Sequence, residues 1–99
     1  MIKDITIVKL IERLKLNINF TLLEIVDYWE ADLCAIGLRK GNQLVYISTF
    51  KQVKNDVLNY DFDLEIVDDD NKENLNVIKE GRNVSEAELV DEIKLFFEV

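Results

Sequence analysis

The chain predicts an α+β fold: an antiparallel sheet of four or five strands with an N-terminal and a C-terminal helix. Three observations carry that expectation. Apolar residues recur at helical spacing at both ends of the chain. Apolar and acidic residues alternate strictly over residues 60–66, and two apolar runs flank a glycine-containing turn near the middle. The first pattern belongs to amphipathic helices and the other two to strands and hairpins. With 99 residues, 48% of them hydrophobic and 32% charged, the chain suits a single globular domain over residues 1–99.

The elements follow in order. Ile7, Leu10, Ile11 and Leu14 fall at i, i+3, i+4 and i+7, while Lys9, Glu12, Arg13 and Lys15 lie off that stripe. This predicts a helix over about residues 4–16, with Asp4 as N-cap and Asn17 and Asn19 at its end. Residues 22–29 are ambiguous. Ile25, Val26, Tyr28 and Trp29 favour a strand, yet Leu22, Leu23, Val26 and Trp29 also suit a helix; a strand is expected. Leu33 to Leu38 and Leu44 to Ser48 read as a hairpin around Arg39-Lys40-Gly41-Asn42, with Gly41 supplying a positive φ. Both strands are apolar on both faces, which predicts central, doubly covered strands.

Residues 51–59 read as a polar connection with room for a helical turn. Tyr60, Phe62, Leu64 and Ile66 then alternate with Asp61, Asp63 and Glu65, giving a strand with an apolar and an acidic face. Asp68-Asp69-Asp70-Asn71-Lys72 predicts a turn, and Leu75 to Lys79 a further strand. Ser85 followed by Glu88 matches a capping box, and Leu89, Val90, Ile93, Phe96 and Phe97 form the apolar stripe of a last helix.

Composition narrows the chemistry. There is no His, which removes the commonest general base and the commonest zinc ligand. One Cys cannot form an intrachain disulfide, so a reducing compartment is the default. No stretch is long and apolar enough for a secretory signal or a membrane span, and the chain reads as cytoplasmic. Cys34 shares a strand parity with Ile36 and Leu38 and reads as a small core residue. Ser48 and Ser85 lack a His to activate them. Asp61, Asp63 and Glu65 could in principle supply an acid and a base for glycoside hydrolysis, but a solvated strand face is the plainer reading. Asp69, Asn71, Glu73 and Glu80 match four positions of a calcium loop, but Asn74 stands where glycine is required and the flanks read as strands. The expectation is no catalytic residue, no bound metal and no cofactor.

Charge placement is more telling. Residues 1–50 hold six basic and six acidic side chains; residues 51–99 hold six basic and fourteen acidic, which is the whole net charge of −8. Between Asp56 and Glu73 eight acids face one Lys. Such a field repels nucleic acid and anionic membranes and speeds encounter with a basic partner; it also favours solubility. The predicted partner-binding residues are Asp61, Asp63, Glu65, Asp68, Asp69 and Asp70.

Residues 28–38 (Tyr-Trp-Glu-Ala-Asp-Leu-Cys-Ala-Ile-Gly-Leu), 44–50 (Leu-Val-Tyr-Ile-Ser-Thr-Phe) and 60–65 (Tyr-Asp-Phe-Asp-Leu-Glu) together resemble a family of small bacterial immunity proteins. These accompany polymorphic and contact-dependent growth inhibition toxins. The resemblance covers about residues 28–66, with Trp29, Glu30 and Asp32 as its carriers, and brings no catalytic residues. It implies a non-enzymatic cytoplasmic antitoxin that binds one toxin domain, often a nuclease, and blocks its active site. The alternative is a small regulatory or assembly module that acts through homo-oligomerisation.

Overall fold

The computed structural model describes residues 2–49, 58–68 and 75–99. It shows the α+β fold: helix α1 (Ile5–Asn17), strands β1 (Glu24–Val26), β2 (Ala35–Lys40), β3 (Gln43–Ser48), β4 (Tyr60–Val67) and β5 (Leu75–Val84), then helix α2 (Glu86–Phe97). A single 3-10 turn, Phe20–Leu22, leads into β1. The strands form one sheet in the order β1-β2-β3-β4-β5, every neighbour antiparallel.

Strand alternation divides the sheet into two faces. Ile36 and Leu38 of β2, Val45 and Ile47 of β3, and Tyr60, Phe62 and Leu64 of β4 point one way. They join Ile7, Leu10, Ile11 and Leu14 of α1 and Leu89, Ile93 and Phe97 of α2 in one buried core. Both helices therefore cover the same face. Each fully buried aliphatic side chain here contributes roughly 1.5–3 kcal/mol from burial. Between the helices, Arg13 of α1 donates from Nε to both carboxylate oxygens of Glu86, at 3.0 and 3.1 Å, and the Tyr60 hydroxyl donates to Glu86 Oε1 at 2.8 Å.

The local chemistry explains the boundaries. Asp4 caps α1 by accepting from the Thr6 backbone N–H at 2.9 Å. The Ser85 hydroxyl caps α2 by accepting from the Glu88 N–H at 3.2 Å. Gly41, at φ +59°, lets β2 and β3 close through the two residues Gly41 and Asn42.

Three expectations need correction. The strand expected over residues 22–29 is three residues long, because the chain leaves the sheet after Val26 to make a hydrogen-bonded loop. Cys34 is not in the core. It precedes β2 and is half-buried, its backbone carbonyl accepting from the Thr49 N–H at 2.9 Å. The last strand runs ten residues to Val84, past the expected end at Lys79. Two register shifts against β4 break its alternation and hide its length from a periodicity reading. The polar connection expected over residues 51–59 and the turn expected over Asp68 to Lys72 both fall largely outside the described residues.

Candidate functional site

Among the described residues no helix lies on the second face of the sheet, yet Leu44, Ser48 and Glu65 of that face are buried. Register places Gly37, Tyr46, Asp63 and Glu80 in one row across β2 to β5, with Arg39, Leu44, Glu65 and Val77 in the next. Asp61 lies opposite Ser48. The acidic side chains of β4 thus share a face, as the alternation predicts.

The loop after β1 supplies the rest. Trp29 folds back so that its ring meets Tyr46 edge-on, with centroids 4.8 Å apart. Gly37 makes the approach feasible: a Cβ there would sit 2.9 Å from Trp29 Cζ3 and 2.8 Å from Val26 Cγ2. The loop is held from below by Lys3, whose side chain is wholly buried. Its Nζ donates to the carbonyls of Asp32 at 2.8 Å and Trp29 at 3.2 Å and pairs with Asp27 at 2.7 Å. Asp32 Oδ1 accepts from the Cys34 N–H at 3.0 Å, and the Leu33 carbonyl accepts from the Asp4 N–H at 2.9 Å. A loop with this many internal bonds is pre-organised for binding.

Two separate segments therefore bring carboxylates to one aromatic centre. Burial pushes the Tyr46 hydroxyl above its usual range, its hydrogen bond with Ser48 offsets part of the rise, and Asp32, Asp63 and Asp61 add to it. Each of these acids resists a further negative charge at Tyr46 and attracts a cation.

The six residues singled out from the sequence have different fates. Asp61 is half-buried and accepts from the Asn83 N–H at 2.9 Å, supporting a left-handed residue at φ +58°. Asp63, also half-buried, pairs with Arg82 at 2.9 Å. Arg82 also donates to the carbonyls of Phe62 and Gly81. Glu65 is only 6% exposed, which corrects the picture of three solvated acids on this face. Asp68 is half-buried at the end of β4, and Asp69 and Asp70 lie outside the described residues. Among the calcium-loop candidates Asp69, Asn71 and Glu73 are also outside, while Glu80 sits within β5.

Tyr46 and Lys3 escaped the sequence reading. Tyr46 could have been found by its parity with Gly37 across the hairpin; nothing local marks Lys3. Beside the loop, an open groove of about 690 Å³ is lined by Ile2, Ile25, Asp27, Glu30 and Leu33. Ile2 is 83% and Leu33 49% exposed, so the groove does not enclose a small molecule. Among the described residues no three Cys, Asp or Glu side chains gather to hold a metal ion, and no helix is long and apolar enough to cross a membrane.

No protein-family model matches the chain, and neither a curated protein nor a solved structure matches it.

Proposed function

We propose that this protein is a non-enzymatic immunity protein whose sheet face opposite the two helices captures a basic toxin domain, of nuclease type, and occludes its phosphate-binding surface. The observation that supports this reading most is that Asp32 of the loop and Asp61 and Asp63 of β4 all act on Tyr46, whose ring Trp29 meets edge-on. A rigid acidic face with an aromatic floor suits Lys and Arg side chains, through charge and through cation–π contact. A nuclease surface that binds phosphate is rich in those residues. The resemblance over residues 28–66 points the same way.

The test is co-expression with the product of the neighbouring gene, followed by affinity purification and association kinetics. A stable complex is expected, with an association rate that falls steeply with salt. Reversing exposed Glu30 and Glu80 to Lys should slow association and flatten the salt dependence without touching the core. A complex whose rate ignores both salt and these reversals overturns the reading.

A second reading, self-association through the free edge of β5, draws on Val77 and Ile78, which are 44% and 58% exposed. The same strand carries Lys79, Glu80, Arg82 and two register shifts, features that discourage edge pairing. A concentration-independent monomer in light scattering would remove it.

A further inference from the structure

The groove beside the loop after β1 is separate from the acidic sheet face. Its lining comes from three places: Ile2 ahead of α1, Ile25 and Asp27 from β1 and the start of the loop, and Glu30 and Leu33 from the loop itself. Ile25 stands opposite Leu38, a core residue, so it points to the side of the sheet that the helices cover. Trp29 packs on Tyr46 on the other side. One loop therefore serves both sides: Trp29 meets the sheet face while Glu30 and Leu33 line the groove.

The groove is apolar, reachable and rigid. Ile2 is 83% and Leu33 49% exposed, and the Asp4 N–H ties their segments together by donating to the Leu33 carbonyl at 2.9 Å. Exposed apolar side chains gathered at one place mark interaction sites. Lys3, wholly buried, fixes the loop through the Trp29 and Asp32 carbonyls and Asp27, so binding there orders little.

Charge decides the occupant. Residues 16–38 contain Glu24, Asp27, Glu30 and Asp32 and no Lys or Arg. Lys3 is committed to Asp27; Glu30 is exposed, and among the described residues no cation pairs with it. A second copy of this chain, at net −8, meets repulsion here, as does an anionic membrane. A basic protein segment is attracted. We propose that the groove is a second docking surface for the protein's basic partner. It seats an apolar side chain of the partner against Ile2, Ile25 and Leu33 and sets an adjacent Lys or Arg against Glu30. The stem of that residue covers apolar surface while its head meets the carboxylate. This rests on the reading of the partner as basic, but not on the partner's use of the sheet face.

The experiment follows amide NMR shifts while the capped peptide Lys-Leu-Ser-Leu-Lys is titrated into the millimolar range at low salt. Wild type should show saturable shifts at Ile2, Ile25, Glu30 and Leu33. The peptides Glu-Leu-Ser-Leu-Glu and Lys-Ser-Ser-Ser-Lys should bind more weakly, the first lacking the cations and the second the apolar side chains. Leu33→Ser should lose about five- to tenfold in affinity, and Ile2→Ser should repeat that loss. Glu30→Gln should lose about two- to fivefold, the worth of one exposed ion pair. Glu80→Gln, on the sheet face, should bind like wild type. The altered groove residues are exposed, so unfolding midpoints should stay level. Shifts confined to Gly37, Tyr46 and Asp63 would place the peptide on the sheet face; the groove inference then fails while the face reading stands. The absence of saturable shifts on either surface overturns the groove, and the association kinetics then judge the face alone. Equal binding of the acidic peptide overturns the charge argument. Groove shifts that grow with protein concentration in the absence of peptide assign the surface to a second copy and overturn the proposal.

Discussion

Lys3 decides where the acidic loop sits. Its ammonium is wholly buried and satisfies two carbonyls and one carboxylate. Lys3→Met keeps the stem but strands those groups, at a cost of roughly 1–3 kcal/mol, the usual penalty for unsatisfied buried partners. Trp29 is the sole tryptophan, so its emission reports the loop directly. The expected result is a red shift of that emission before global unfolding in denaturant; coincident transitions in the variant would show that Lys3 does not hold the loop. Gly37→Ala approaches the same loop from above. The new methyl would meet Val26 and Trp29 at under 3 Å. Overpacking of this kind costs about 1–3 kcal/mol. The sheet should persist by circular dichroism while the Trp29–Tyr46 contact is lost and basic partners bind more weakly. An unchanged Trp29 spectrum would contradict this.

At the scale of elements, each helix is set by a side-chain cap that the sequence displays. Ser85→Ala removes the hydroxyl that accepts from Glu88, and should lower stability by about 0.5–2 kcal/mol in urea denaturation. At the other end, α2 closes on Glu98 in the left-handed region at φ +58°. Glu98→Gly should therefore stabilise the protein, by up to about 1 kcal/mol, because glycine adopts that conformation without a Cβ penalty. A lower denaturation midpoint would show that the Glu98 side chain contributes more than its backbone strain costs. The strands were less legible. β4 announced itself because one face is buried by helices and the other is acidic. β5 did not, since an edge strand with shifted register has no single periodicity to read. β1 is short because Asp27, Trp29 and Asp32 bond within the loop and to Lys3 instead of extending the sheet.

Over the whole molecule, the Arg13–Glu86–Tyr60 cluster links α1, α2 and β4 and sets the response to pH. Burial, and then the hydrogen bond to Glu86, push the Tyr60 hydroxyl up to about 12. A raised acid group stabilises the fold fully below its unfolded value, near 10, and loses that contribution as pH climbs towards 12. Burial opposes ionisation of Glu86, but hydrogen bonds from Arg13 and Tyr60 prevail and hold it below the usual carboxylate range. Its contribution is present at neutral pH and fades as pH falls through that lowered value. Glu65 acts in the opposite sense: its raised carboxyl penalises the fold increasingly as pH rises past the unfolded carboxylate value, and acid relieves it. Tyr60→Phe should cost about 1 kcal/mol at neutral pH, the net worth of a typical hydrogen bond, and should flatten the alkaline limb of a stability–pH curve. An unaltered alkaline limb would place its origin elsewhere.

The sequence by itself determined the helices, their caps, the hairpin at Gly41 and the two-faced strand at residues 60–66. These depend on spacing and on side-chain-to-backbone bonds between near neighbours, which a linear pattern records. It also placed the acidic excess in the second half of the chain. Only the tertiary structure decided which of those acids matter together. Asp32 acts on Tyr46 together with Asp61 and Asp63 because Lys3, some thirty positions away, pins the loop, and because Gly37 leaves room for Trp29 on the sheet. The burial of Glu65 likewise does not follow from its own alternation, which assigns it to the acidic face. Long-range packing sets the exposure and partners of a charge, and therefore its chemistry, whereas periodicity assigns it only to a face.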